Sequence, residues 1–210
     1  MKIIYYDEDI ILKHIAESLV FSGFPMSISI GHLAKDIHDT YHSLKLNDTT
    51  QSVLRGIRLG RTNCGGGHDC FLKGIVVNAV IEAPQYFWQQ IKRYHFFDII
   101  SSQSTMHRLT QMNLSDHCNK DVDSRVIEIV SEYIEKFKET NDKQYFKKAV
   151  SNLPSGFNLT AGITTNYLQL KTIAHQRRNH KLDEWSVEFM HFIDHLPFFS
   201  ILTSTNDNSK

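Results

Sequence analysis

The spacing of hydrophobic residues predicts helices along much of the chain. Between Glu8 and Phe21, apolar side chains recur three and four positions apart, as they do on the buried face of an amphipathic helix. Gly23-Phe24-Pro25 follows and would end this helix. The same spacing predicts further helices over 31–46, 49–59, 122–139, 144–152, 165–178 and 183–195.

Two other segments have the pattern of β-strands. Met1 to Asp7 contains a short apolar run, and Phe71 to Ala83 is rich in β-branched residues that partly alternate with polar ones. The glycine-rich stretch 61–67 predicts a loop between these regions. The polar tail, about 203–210, is expected to fray.

Composition is ordinary for one globular domain spanning residues 1–210. Lys plus Arg and Asp plus Glu both number 23, so no net charge attracts the chain to nucleic acid or membrane. No run of eighteen apolar residues occurs, so no membrane span is predicted. Three cysteines cannot all pair, and no signal peptide is evident at the start, which together predict reduced thiols in a cytoplasm.

The cysteines allow two kinds of chemistry to be weighed from the sequence, a zinc site and a nucleophilic thiol. Cys64, His68 and Cys70 lie close together, but the second ligand pair of a structural zinc site is missing, so no metal is predicted. Cys118 follows His117, which would suit an activated nucleophile. The Pro-Cys-His surroundings of the folate-only thymidylate synthases are absent, so a nucleophilic cysteine is not favoured.

A polar constellation follows the second strand. Pro84 suits the start of a helix, and Gln90 and Arg93 would then share one helix face, where an amide and a guanidinium form a fork for a phosphate or carbonyl. A serine-rich loop leads from there to Arg108. The alternative is an amphipathic surface helix whose charges are only solvated.

This stretch resembles the motif of the flavin-dependent thymidylate synthases. Gln90-x-x-Arg93 matches it, Tyr94 and His95 stand where the family has histidine and arginine, and 102–108 resembles its polar loop. The chain has fifteen positions from Arg93 to Arg108, against twelve in the family pattern. The preceding glycine-histidine turn, strand and Ala-Pro pair also match.

The C-terminal part resembles the closing pattern of the same family. Leu153-Pro154, Asn166, Arg177, His180 and Trp185 occur in the family's order, so the resemblance covers roughly residues 65 to 195. Val150 stands where the family has an arginine. Lys147 or Lys148 is a candidate to replace that arginine at the phosphate.

The resemblance implies an α/β chain of the α+β type, with an antiparallel sheet flanked by helices. It implies a homotetramer whose active sites form between subunits. The implied reaction is C5 methylation of deoxyuridylate to thymidylate, with FAD as cofactor, methylenetetrahydrofolate as carbon donor and NADPH as reductant. Two alternatives remain: hydroxymethylation of another pyrimidine nucleotide, or a nucleotide-binding relative that lost flavin. The compact, divergent chain looks like a viral form, which would place it in the host cytoplasm.

The resemblance also implies roles for individual residues. Gln90 and Arg177 would contact the pyrimidine and act in catalysis. A first set would hold FAD: His68, Arg93, Tyr94, His95, Asn166 and His180. A second set would bind the rest of the nucleotide: Ser102, Gln103, Ser104, Thr105 and Arg108. Arg178 is interpreted as a solvated charge at a helix end.

Overall fold

The computed structural model describes residues 1–21, 37 and 51–204. The helix predicted over 31–46 therefore lies outside the described residues, except for Ile37, which is helical and buried. The predicted stop at Gly23-Phe24-Pro25 and the tail beyond Ser204 also lie outside them.

The structure contains a four-stranded sheet. Its strands are β1 (Lys2–Tyr6), β2 (Val76–Pro84), β3 (Asp98–Ser102) and β4 (Asn158–Asn166), in the order β1-β2-β4-β3. The sheet is antiparallel and is accompanied by helices, which confirms the predicted fold class. β2 and β4 are the two central strands.

The central strands bury alternate side chains. In β2, Val77, Ala79 and Ile81 are at most 4% exposed, and in β4 Ala161 and Ile163 are at most 3% exposed. This period of two is the one expected for strands with one face on a core. β2 begins later than predicted because residues 70–74 form a 3₁₀ turn. Neither β3 nor β4 was predicted.

Ten α-helical segments lie among the described residues. They are α1 (Glu8–Phe21), α2 (Gln51–Gly60), α3 (Gln85–Ile91), α4 (Thr105–Arg108), α5 (Leu114–His117), α6 (Ser124–Thr140), α7 (Lys143–Ser151), α8 (Tyr167–Arg177), α9 (Met190–Asp194) and α10 (Phe199–Thr203). The helix predicted over 183–195 is α9 preceded by a π-helical turn, Glu184–Phe189. In residues 1–21 and 51–204, no helix is long and apolar enough to cross a membrane.

The tail prediction was wrong at its first residue. Thr203 ends helix α10 and is 8% exposed, and its hydroxyl donates to the carbonyl of Phe199 at 2.7 Å. Thr203 is helical because it belongs to α10, whose residues Phe199 and Leu202 are buried.

The chain divides into two compact units, and all four strands contribute residues to both. The first unit comprises Met1–Ile4, Val80–Arg93 and Ile99–Ile163, and the second comprises Tyr5–Ala79, Tyr94–Asp98 and Thr164–Lys210. The description of 1–210 as one domain stays a prediction.

The first unit is built around the hairpin of α6 and α7. Asp123 and Asp142 cap these helices through their side chains, and Asn141 ends α6 in the left-handed conformation that asparagine tolerates. Its core consists of Leu109, Leu114, Val130, Ile134, Ala149 and Phe157. Val130 and Ile134, which belong to the apolar pattern that predicted the helix over 122–139, are buried in this core.

The second unit has an aromatic core beside a buried ion pair. The rings of Tyr167 and Phe199 lie 5.2 Å apart between centroids, edge to face. Lys171 Nζ on α8 lies 2.6 Å from Asp69 Oδ2, with side chains 3% and 2% exposed, and it also donates to the carbonyl of Thr62. These contacts tie the loop before β2 to α8.

Candidate functional site

The helix after β2 is shorter than predicted. It begins at Gln85, with Pro84 in extended backbone at the cap position, and ends at Ile91. Arg93 lies beyond it in a turn, where its N–H donates to the carbonyl of Gln90 at 3.3 Å. Gln90 and Arg93 therefore do not share a helix face, and that prediction was wrong.

The helix ends there because the next residues belong to another core. Phe97 is 4% exposed and its ring lies 6.3 Å from that of Phe189. The backbone N–H of Phe96 donates to Gln169 Oε1 at 3.2 Å, and the hydroxyl of Thr165 donates to the carbonyl of Phe96 at 2.7 Å. If the helix continued, the Phe96 backbone would form helical hydrogen bonds. Here it bonds the side chains of Gln169 and Thr165 instead, and the Phe97 ring is buried.

This turn places Tyr94 against Arg177, the last residue of α8. Arg177 Nε donates to the Tyr94 hydroxyl at 2.8 Å, and that hydroxyl lies 3.1 Å from Gln176 Oε1. The Arg177 guanidinium carbon is 4.8 Å from the Trp185 ring centroid and 5.8 Å from that of Tyr94. We call Tyr94, Gln176, Arg177, His180 and Trp185 the arginine cluster.

Local sequence features position the arginine cluster. Asn166 caps α8, since its Oδ1 accepts the N–H of Gln169 at 2.9 Å. The chain turns after α8, with the His180 N–H donating to the Arg177 carbonyl at 3.0 Å. Trp185 is fully buried and its ring lies 5.4 Å from Phe189. The cation therefore stacks on a ring that the core holds fixed.

His180 sits beside the cation as a neutral imidazole. Its Nδ1 accepts the N–H of Leu182 at 3.2 Å, and its ring lies 6.3 Å from that of Trp185. Partial burial, followed by the positive charges of Arg177 and Lys181, lowers the pKa of His180 below the ordinary 6.5. A second positive charge is thereby disfavoured next to the guanidinium.

The lowered pKa of His180 predicts a loss of stability in acid. Because the folded protein binds this proton less readily than the unfolded chain, the free energy of unfolding falls as the pH drops below the ordinary value of 6.5. We expect urea unfolding at pH about 7.5 and about 5.5 to show a smaller acid loss in His180→Gln than in the wild-type protein. Equal losses in the two proteins would contradict the assignment.

Most predicted nucleotide-binding residues lie in the first unit, at the end of β3. The predicted polar loop is the end of this strand followed by the short helix α4. The Gln103 N–H donates to the carbonyl of Thr160 at 2.8 Å, which explains why this polar segment is ordered as a strand end. Gln90 is half-buried on α3. Ser102, Ser104 and Arg108 are exposed, and Gln103 and Thr105 are half-buried.

Tyr94, Arg177 and His180 are the predicted residues that meet in the second unit. His68 is exposed and follows Gly65 and Gly67, both of which have positive φ. His95 is exposed and meets the ring of Phe96 edge to face, with centroids 4.6 Å apart.

Gln176 and the stacking role of Trp185 were not predicted. A tryptophan eight positions after an arginine is a weak signal, since it requires a turn of known shape to become a cation–π contact. The adjacent Arg178 is half-exposed and forms two hydrogen bonds with Asp194, at 2.9 and 3.0 Å. It is paired as well as solvated.

Cys118 does not have the properties of a nucleophile. Burial raises the pKa of its thiol above the ordinary value, so it is protonated near neutral pH. Cys64, Cys70 and Cys118 are all thiols.

A cavity of about 490 Å³ lies elsewhere in the second unit. Among its lining residues are Lys171 and Arg178, but each of these cations is already paired with a carboxylate, Asp69 and Asp194 respectively. None of the predicted site residues lines it. We therefore place the candidate site at the arginine cluster.

Comparisons with known proteins bear on this geometry. No protein-family model matches the chain, and no curated protein matches it significantly. Among solved structures, the flavin-dependent thymidylate synthase of Helicobacter pylori with FAD and dUMP aligns over 100% of both chains, with a TM-score of 0.62 and 16% identity. This chain has that enzyme's fold.

A second structure of the thymidylate synthase from Helicobacter pylori, at 2.31 Å with FAD and dUMP, gives the same result. It covers 99% of this chain and 98% of the other, with a TM-score of 0.62 and 16% identity. The fold of a flavin-dependent thymidylate synthase therefore spans the chain from end to end. This agrees with the resemblance drawn from the motifs.

Proposed function

We propose that the protein belongs to the flavin-dependent thymidylate synthases and methylates deoxyuridylate at C5 to give thymidylate. Methylenetetrahydrofolate would donate the carbon, and NADPH would serve as reductant. The observation that carries the proposal is the alignment, over the whole of both chains, with a protein whose structure contains FAD and dUMP. The arginine cluster adds support, because Arg177, His180 and Trp185, which resemble the family's closing pattern, lie together there.

The residues present fit a flavin dinucleotide. His68, Arg93 and His95 are exposed donors suited to a pyrophosphate. Asn166 uses its Oδ1 for the α8 cap, and its amide nitrogen would serve a flavin ring or ribose. Reduced FAD would supply hydride to the pyrimidine ring. Tyr94 and His180, also predicted to contact FAD, lie in the arginine cluster.

The nucleotide would be bound by two groups of residues. Arg177 presents a planar fork suited to the carbonyl edge of a pyrimidine, and Gln90 would add an amide. Ser102, Ser104 and Arg108 are exposed donors suited to a monophosphate, with Gln103 and Thr105 beside them. No metal is required by this set, since the charges to be neutralised are those of phosphates.

Assembly and location complete the proposal. We propose a homotetramer in which neighbouring subunits share active sites, because the candidate ligands fall in separate segments of a short chain. The three thiols fit a reducing cytoplasm.

The absorbance spectrum of the purified protein tests the proposal. Flavin bands, before or after FAD is added, together with thymidylate formation from deoxyuridylate, methylenetetrahydrofolate and NADPH, would support it. A colourless protein that binds no added FAD would contradict the flavoenzyme and favour a relative that has lost the cofactor. Hydroxymethylated product would support the alternative one-carbon transfer.

Arg93→Ala is expected to weaken FAD binding roughly tenfold, because it removes a charged donor from a phosphate. Fluorescence titration with FAD measures the dissociation constant. Lys92→Ala is the matched control, since Lys92 is the neighbouring exposed cation and is expected to leave FAD affinity unchanged. Equal affinities of the two variants would remove Arg93 from the flavin site.

A further inference from the structure

The Tyr94 hydroxyl holds the Arg177 guanidinium at one defined atom. It accepts from Nε at 2.8 Å, and it has its own proton to donate to Gln176 Oε1 at 3.1 Å. A phenol can accept and donate at once, so both of its capacities are used. The contact spans 83 positions of sequence and is therefore a feature of the folded protein.

The aromatic rings of Trp185 and Tyr94 also contact the Arg177 guanidinium. Its carbon lies 4.8 Å from the Trp185 ring centroid and 5.8 Å from that of Tyr94. Contact with the two rings limits where the planar guanidinium can move, and the bond at Nε limits its rotation. Trp185 is fully buried, so one of the two rings belongs to the core. The half-buried Tyr94 is the adjustable side of the arrangement.

We propose that Tyr94 is a positioning residue that aims the Arg177 fork at the carbonyl edge of a pyrimidine nucleotide. This inference rests on the proposed function. Its physical basis is that a bidentate fork loses affinity when its orientation is not set in advance. Within the arginine cluster, Arg177 is the cation whose guanidinium the Tyr94 hydroxyl and the two rings contact.

The test compares Tyr94→Phe with Tyr5→Phe, a control that removes the same hydroxyl group at an exposed tyrosine. Tyr94→Phe keeps the ring and removes only the hydroxyl. Tyr5→Phe is the control, because Tyr5 is exposed and its hydroxyl donates to Asp7 Oδ2 at 3.3 Å. We expect Tyr94→Phe to raise the dissociation constant of dUMP roughly tenfold, and Tyr5→Phe to leave it unchanged.

A readout that needs no nucleotide separates this inference from the proposed function. The Arg177 Nε–H should exchange slowly with solvent in ¹⁵N-labelled wild-type protein and faster in Tyr94→Phe. Unchanged exchange would overturn the inference, as would faster exchange with unaltered dUMP affinity. Wild-type protein that shows slow exchange but binds no dUMP would instead overturn the proposed function, and with it the role given to Tyr94.

A double-mutant cycle distinguishes positioning from a general structural effect. Lysine has no Nε–H in a planar fork, so Arg177→Lys removes the group that Tyr94 holds. In the Arg177→Lys background, Tyr94→Phe should change dUMP affinity less than twofold, because nothing is left to position. Additive losses would show that Tyr94 acts independently of Arg177 and would overturn the inference.

Discussion

Replacing Lys171 with methionine is expected to lower the free energy of unfolding by about 3–5 kcal/mol. Lys171 Nζ lies 2.6 Å from Asp69 Oδ2, and the two side chains are 3% and 2% exposed. The substitution leaves the Asp69 carboxylate buried without its counter-ion and the carbonyl of Thr62 without this donor. Urea unfolding followed by circular dichroism measures the change.

Two variants serve as controls for this effect. Lys138 and Glu135 form a pair of similar length, 2.7 Å, whose side chains are 45% and 63% exposed. Lys138→Met should therefore cost less than about 1 kcal/mol. The double variant Lys171→Met/Asp69→Leu should be more stable than Lys171→Met alone, because neither of these two positions then carries a buried charge. Equal losses at Lys171 and Lys138 would refute the argument from burial.

Arg177→Ala is expected to weaken deoxyuridylate binding or transition-state stabilisation by about 2–4 kcal/mol, which is roughly 30- to 1000-fold. The reason is that the variant removes the charged fork that the arginine cluster holds in place. Calorimetric titration with dUMP measures binding, and steady-state kinetics measures the effect on turnover.

The neighbouring arginine provides the control. Arg178 is half-exposed and is engaged by Asp194 at 2.9 Å, outside the arginine cluster. Arg178→Ala removes the same charge one position further along the chain, so a purely electrostatic effect would weaken nucleotide binding in both variants. We expect a loss only at Arg177. Normal binding and turnover in Arg177→Ala, with the fold intact by circular dichroism, would remove Arg177 from the site.

The sequence predicted those elements whose burial rests on large apolar side chains. Helix α1 has the predicted bounds, and α6 begins at Ser124 and ends at Thr140, one residue beyond the segment 122–139 predicted from its apolar stripe. Strand β4 escaped prediction because it buries Ala161, Ile163 and Thr165, of which only one is large. When the buried residues of a strand are small, its buried and exposed faces differ little in hydrophobicity, and the alternation that marks a strand in the sequence is weak.

The candidate site was predicted only in part. Tyr94 and Arg177 were both named, but for different ligands, because no periodic pattern encodes a contact across 83 positions. The buried pair of Asp69 and Lys171 was not recognised. Its signal was a lysine four positions after Tyr167, on the face of α8 that is otherwise apolar. A charge at such a position requires a buried partner.

The way the chain threads its two compact units bears on how such a protein changes over evolutionary time. The chain passes from one unit to the other after Ile4, Ala79, Arg93, Asp98 and Ile163, and four of these points lie inside strands. No single excision can therefore separate a whole unit. Recombination that exchanged one unit for a homologous copy would have to cut every strand of the sheet. We therefore expect relatives of this chain to differ by substitutions and by loop length, and not by exchange of one unit.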